Sequence, residues 1–169
     1  MIETERLTLR PYGTGDYEPY FAMVSDPRWD TPSGQPISRE EAWRRLMSCA
    51  GYWALFGYGI FALIERATGQ YVGETGLWDA HREMGEGFDG YDEAGWSFVP
   101  RVRGKGYAFE AADAAHRWYA STVRRRRTVC MINPANLPSV GLARKLGYQA
   151  FREGLFKGRA VVMFERDSI

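Results

Sequence analysis

Cysteine is scarce. Cys49 and Cys130 are the only two in 169 residues; they stand far apart and match no zinc-ligand spacing. They fit buried thiols in a reducing compartment better than a disulfide scaffold. Long apolar runs are missing too. The longest, "YWALFGYGIFALI" (Tyr52 to Ile64), has thirteen residues and contains two glycines, short of the roughly 20 that a membrane span needs. The N-terminus, "MIETERLTLRP", is charged at once and lacks the apolar stretch of a secretory signal. Charge of one sign is also lacking: 22 basic residues face 21 acidic ones, so no global field recruits nucleic acid or an anionic membrane. A cytoplasmic protein is expected, with no membrane, nucleic-acid or metal partner. There is no internal repeat and no low-complexity linker, so residues 1–169 read as a single domain large enough to build its own core. Aromatics are plentiful, with six Trp, ten Tyr and nine Phe; they serve a core, or a cleft that stacks a ligand.

Periodicity orders the elements. "RLTLRP" (Arg6 to Pro11) alternates as a strand, and "DYEPYFAMVSD" (Asp16 to Asp26) has helical spacing. In "ISREEAWRRLMSCAGYW", Ser38 and Glu41 form a capping box at a helix start. "YGIFALIER" and "QYVGETGLWD" read as a hairpin across "ATG". "AHREMGEGFDGYDE" (Ala80 to Glu93) reads as a long acidic loop, a candidate lid or substrate rim. "AGWSFV" (Ala94 to Val99) is a strand, "AFEAADAAHRWYA" a helix and "RTVCMI" a strand. "NLPSVGLARKLGY" is a helix stopped at Gly147, and "FREGLFKGRAVVMFER" holds two strands around Lys157 and Gly158. The sequence thus predicts a mixed α/β layer, β-α-α-β-β-β-α-β-α-β-β, with antiparallel hairpins early and a βαβ crossover late.

Between a strand and a helix lies "PRVRGKG". The first amides of a helix have no intrahelical partner, and glycines let an anion approach them. Arg101, Arg103 and Lys105 add charge there. The ATP-type loop fails, because Gly106 and Tyr107 follow Lys105 where a Ser or Thr is needed. The dinucleotide fingerprint fails as well, with Phe109 in place of a small residue and the run Arg124 to Arg127 where an acid is required.

A third pattern fits. Arg103-Gly-Lys-Gly106-Tyr-Ala108 resembles the pyrophosphate loop, Arg/Gln-x-x-Gly-x-Gly/Ala, of the GNAT acetyl-CoA-dependent N-acetyltransferases. "NPANLPSVGLARKLGY" resembles that superfamily's later motif, Asn-x-x-Asn-x-x-Ser with a helix ending in Lys-Leu-Gly-aromatic. "RLTLRP" and "EAGWSFVPRVRGKGYAFEA" resemble more narrowly the RimJ/RimL-type branch, which acetylates protein N-termini or small amines. The resemblance spans essentially the whole chain, least across Gly13 to Trp53 and Ala80 to Asp92. It implies a central, mostly antiparallel, twisted sheet splayed at its middle with helices on both faces. It also implies acetyl-CoA as cosubstrate, with no metal, and an amine acceptor that is a small molecule or a protein N-terminus. The protein would be a monomer or a homodimer. The implied cofactor-binding residues are Phe98, Val99, Arg103, Gly104, Lys105, Gly106, Tyr107, Ala108, Asn136 and Ser139.

Acetyl transfer to an amine needs a base for the ammonium, an N–H donor for the thioester oxygen and a proton for the departing thiolate. By the resemblance, the donor is the backbone around Phe98 or Val99. Glu93 occupies the acid position of "E-x-G-aromatic" members and is the first choice for base; Glu74 is the second. Glu110 suits a structural acid at the helix start. Ser139 matches the serine proposed to protonate the sulfur, with Tyr148 or another tyrosine as the alternative. Cys130 could support a covalent route, although buried strand thiols are usually inert. His81 and His116 read as surface residues. Arg124 to Arg127 read as a solvated turn, or as contacts for a ribose phosphate or RNA. Glu83, Glu86, Asp89 and Asp92 would favour a cationic amine. The rival functions are a CoA-binding regulatory module without turnover and an RNA- or ribosome-associated protein; the second is disfavoured by the near-even charge and the lack of an aromatic RNA-strand motif.

Overall fold

The computed structural model describes residues 1–29, 36–125 and 127–167. Strand β1 is Ile2–Glu3 and β2 is Leu7–Arg10, where Leu7 and Leu9 are buried and Thr8 and Arg10 only partly so. A 3₁₀ turn at Thr14–Asp16 leads into helix α1, Tyr17–Val24. Helix α2, Arg39–Phe56, starts on the predicted capping box. There the Glu41 amide donates to Ser38 Oγ at 3.1 Å and the Ser38 amide donates to Glu41 Oε2 at 3.0 Å, satisfying two otherwise orphaned donors. Strands β3 (Ile60–Glu65), β4 (Tyr71–Trp78) and β5 (Asp92–Phe98) follow. After a 3₁₀ turn at Pro100–Val102 come α3 (Tyr107–Thr122), β6 (Arg127–Ile132), α4 (Leu137–Lys145), β7 (Gln149–Phe156) and β8 (Arg159–Asp167).

The eight strands form one sheet in the order β1-β2-β3-β4-β5-β6-β8-β7. Every neighbouring pair is antiparallel except β5 and β6, which the α3 crossover makes parallel. Successive residues of a strand face opposite sides, and β3 shows what covers each. Phe61 and Leu63 pack with Ala111, Ala114 and Ala115 of α3, whereas Ala62 packs with Tyr20 and Val24 of α1 and Leu46 of α2. Helices therefore cover both faces, and the fold class is the expected one.

Beyond β5, α4 joins α3 on one face, with Ala143 and Leu146 against Cys130 and Phe164. The other face of β6 and β8 is closed by residues 79–91, which contain neither helix nor strand. Phe88 is only 2% exposed and packs with Val129 and Met163. The stretch expected as an acidic rim is thus also a core cap.

Three further differences have local causes. Strand β1 was not predicted, because two residues are too short to show alternation. Asp92 belongs to β5 rather than to the loop, and it is fully buried beneath hydroxyls from Tyr58 and Tyr119. His116 is not on the surface: it faces the sheet, holding the Ala112 carbonyl at 2.6 Å and the Tyr148 hydroxyl at 2.8 Å. Burial pulls its pKa down to about 4. Among the described residues no helix is long and apolar enough to cross a membrane.

Candidate active site

The parallel join of β5 and β6 is short. Its paired residues are Asp92 with Thr128 and Glu93 with Val129, and the strands then part. Ala94 to Phe98 keep their partners on β4 but face a cleft on the other edge. This opening, about 960 Å³ in volume, runs from the fork to the start of α3.

The orientation of the β5 amides follows from the register. Val99 N–H donates to the Val72 carbonyl at 3.0 Å. Donors alternate along an antiparallel strand, so Val99 and Ser97 point to β4, while Trp96 and Phe98 point into the opening. Of the two expected donors, Val99 is corrected: its amide is already engaged and it does not line the cleft. Trp96 is the residue sequence reasoning missed. Counting alternation back from one known pairing would have found it.

At the far end, Gly104 and Gly106 both adopt left-handed backbone, with φ of 73° and 83°, a conformation that costs other residues roughly 1–2 kcal/mol. Gly106 is the N-cap of α3 and accepts the Glu110 amide at 3.2 Å. Arg103 Nε donates to the Phe98 carbonyl at 3.0 Å, tying the turn back to the strand.

Of the residues singled out from sequence, Glu93, Phe98, Arg103, Gly104, Gly106, Ala108, Asn136 and Ser139 line this one cleft. Lys105 and Tyr107 do not: Lys105 is exposed, and the Tyr107 hydroxyl turns away to donate to Glu65 at 2.6 Å. What these two can offer a ligand is backbone. Asn136 caps α4, its Oδ1 accepting the Ser139 amide at 3.2 Å, which places Ser139 in the first turn at the cleft wall. The cleft also includes Trp29, whose Nε1 donates to Ser97 Oγ at 3.3 Å; no periodic signal surrounds that residue in the sequence.

Glu93 sits at the fork, 5% exposed. Arg82 Nε reaches its Oε2 at 2.6 Å, and a second guanidinium nitrogen lies 3.3 Å from Oε1. Burial pushes the carboxyl above the usual range, and the Arg82 charge and hydrogen bonds restrain that rise. Glu74 is buried on the α1–α2 face, accepts the Tyr12 hydroxyl at 2.7 Å and does not line the cleft. Its pKa is raised, by burial foremost.

Tyr148 is occupied by His116 and by Thr128 at 2.8 Å, away from the cleft, and burial raises its pKa. Cys130 lies at the cleft wall, but burial pushes its thiol well up, disfavouring a thiolate. Glu110 accepts from Thr4 and Arg6. Arg125 bonds Asp92 at 3.1 Å, and Arg127 engages Glu165, Gly87 and Tyr91. Both arginines pair within the chain, Arg125 from an exposed position and Arg127 from a partly buried one, and Arg126 lies outside the described residues. Of the loop acids, Asp92 is buried, whereas Glu83, Glu86 and Asp89 are exposed, Asp89 also accepting the Met84 and Gly85 amides.

A family model described as "Acetyltransferase (GNAT) domain" matches residues 6–149. Among solved structures, a chain described as a GnaT-family acetyltransferase from Bordetella pertussis is 32% identical, with 98% of each chain covered and a TM-score of 0.87. An acetyltransferase from Agrobacterium tumefaciens str. C58 is 27% identical over 97% of this chain and 92% of that one, with a TM-score of 0.83. Among curated proteins, the uncharacterized N-acetyltransferase YnaD of Bacillus subtilis is 38% identical over 38% of this chain and 37% of its own length. YkkB of the same organism is 27% identical over 66% of this chain and 64% of its own length. The chain therefore spans less than two thirds of the curated relatives it matches. Because the family match runs from β2 through α4 and takes in both walls of the cleft, the chain belongs to the GNAT acetyltransferase family.

Proposed function

We propose that this protein transfers the acetyl group of acetyl-CoA to a primary amine by direct attack. The observation that carries this reading is the fork: a strand edge with inward amides at Trp96 and Phe98 leads to a glycine turn at a helix start. An extended pantetheine arm can pair with such an edge, and a diphosphate suits the unpaired first-turn amides of α3. Gly104 and Gly106 leave room for it, so the residues present fit the cosubstrate.

In this reading Glu93 takes a proton from the ammonium. The freed nitrogen lone pair attacks the thioester carbon, the C–N bond forms and the C–S bond breaks. The carbonyl oxygen, negative in the transition state, is met by a fixed amide at Trp96 or Phe98. The departing thiolate takes a proton from Ser139. The second proton, shed by the acetylated nitrogen as the amide forms, restores the Ser139 hydroxyl, and Glu93 releases its proton to water. The resemblance of "RLTLRP" and "EAGWSFVPRVRGKGYAFEA" to the RimJ/RimL-type branch favours a protein N-terminus or a small amine as acceptor.

The test is a panel of amines and N-terminal peptides with release of free CoA as readout, beside thermal shifts with CoA, NAD and ATP. Acetyl-CoA should raise the melting temperature, and at least one amine should yield CoA. A shift without turnover on any acceptor would favour a regulatory CoA-binding module. A shift with NAD or ATP and none with CoA would overturn the reading altogether.

A further inference from the structure

The residues just ahead of β2, Thr4 to Arg6, have no part in this mechanism. Arg6 lies between β1 and β2, behind the glycine turn rather than in the cleft. Its Nε donates to Glu110 Oε2 at 2.6 Å, and its backbone amide donates to Glu110 Oε1 at 2.8 Å. Thr4 Oγ1 donates to that same Oε1 at 2.6 Å. Arg6 Nη1 donates to the Lys105 carbonyl at 2.8 Å, and the guanidinium carbon stands 4.1 Å from the centre of the Tyr107 ring. A β-carbon added to Gly106 would lie 3.3 Å from Arg6 Nη2.

The Lys105 contact has a directional consequence. In a planar trans peptide the C=O of one residue and the N–H of the next point in opposite directions. Holding the Lys105 carbonyl back toward Arg6 therefore turns the Gly106 N–H away from Arg6, toward the cleft that Gly106 lines. Gly106 on one side of this peptide and Gly104 one residue before it are left-handed glycines, residues that also tolerate other backbone conformations, so an outside contact is what holds this orientation. Arg6 also offsets a local conflict. Glu110 is an acid in the first turn of α3, where it suits the helix dipole but repels an incoming anion; paired with Arg6, that charge is balanced.

We propose that Arg6 is a positioning residue for the acyl donor: it sets the anion-binding orientation of the Lys105–Gly106 peptide and neutralises Glu110 behind it. This rests on the reading of the turn as the diphosphate site. Arg6→Gln removes both effects, whereas Arg6→Lys keeps the charge but cannot reach Glu110 and Lys105 together with one ammonium. Arg66→Gln is the control, since Arg66 braces the same corner through the Thr4 carbonyl at 2.8 Å and makes no contact with the turn.

The experiment is CoA titration by calorimetry with steady-state kinetics in acetyl-CoA. Arg6→Gln should raise Kd for CoA and KM for acetyl-CoA about tenfold with kcat within about twofold of wild type, a pattern that marks lost binding rather than lost chemistry. Arg6→Lys should fall between, and Arg66→Gln should lower Tm without moving KM. If wild type binds CoA and Arg6→Gln binds it equally, the inference fails alone. If Arg66→Gln raises KM as much as Arg6→Gln, the effect is general loosening of the corner and the inference also fails. If wild type binds no CoA, the reading of the turn fails and takes the inference with it.

Discussion

Replacing Arg82 by Gln strips the charged partner from a buried carboxylate while keeping a shorter polar side chain in place. The Arg82 side chain is a quarter exposed and that of Glu93 only 7%, so this pair is mostly removed from water. Breaking such a pair from one side typically costs about 3–5 kcal/mol, because the remaining charge stays buried. Partial exposure of Arg82 argues for the lower end, about 3 kcal/mol. For a chain of this size that is a fall in Tm of roughly 6–12 °C.

The cost has a pH signature. Glu93 already holds its proton more tightly folded than unfolded, so its contribution to stability is present at low pH and lost as pH rises through the folded pKa. Without Arg82 the carboxyl rises further, and the loss extends to higher pH. Urea unfolding from pH 4 to pH 8 should show a variant close to wild type at the acid end and a deficit that widens with pH. The acid limb of kcat/KM should move to higher pH as well, if Glu93 is the base. Adding Glu93→Gln to Arg82→Gln should restore most of the stability while leaving the enzyme slow. A deficit of the same size at pH 4 and pH 8 would refute the reasoning, since it would locate the damage in lost packing.

Ser139→Ala should reduce kcat while leaving the calorimetric Kd for CoA within about twofold; an equal loss of both would make Ser139 a binding residue. Phe88→Ala should destabilise the fold by about 3–5 kcal/mol in urea, because the ring is buried against Val129 and Met163. A change below about 1 kcal/mol would return residues 79–91 to the role of a simple rim.

What could be read in advance was local. The Ser38–Glu41 box, the Gly147 stop and the glycine turn before α3 each state a backbone demand within a few neighbouring residues. The short run Arg127–Ile132, read as a strand, came out as β6 with the same bounds. What stayed hidden is set by contacts across the fold. Nothing near Glu93 in sequence names Arg82 as its partner, and nothing near Gly106 names Arg6. Phe88 sits in a glycine- and acid-rich stretch whose composition reads as solvent-exposed, yet a bare strip of sheet needs one large ring. Tyr148 and His116 satisfied each other's polar atoms 32 residues apart, which removed both from the list of free acids and surface groups.

The brief join of β5 and β6 also acts as a fulcrum. Its two rungs are one residue apart, roughly 3.3 Å, while Phe98 stands five residues further along, roughly 17 Å at strand rise. A displacement between the rungs is therefore multiplied about fivefold at the mouth. Tyr58, Tyr119 and Arg125 all grip Asp92 at that pivot, so substitutions at these residues, none of which lines the cleft, would adjust its aperture from behind.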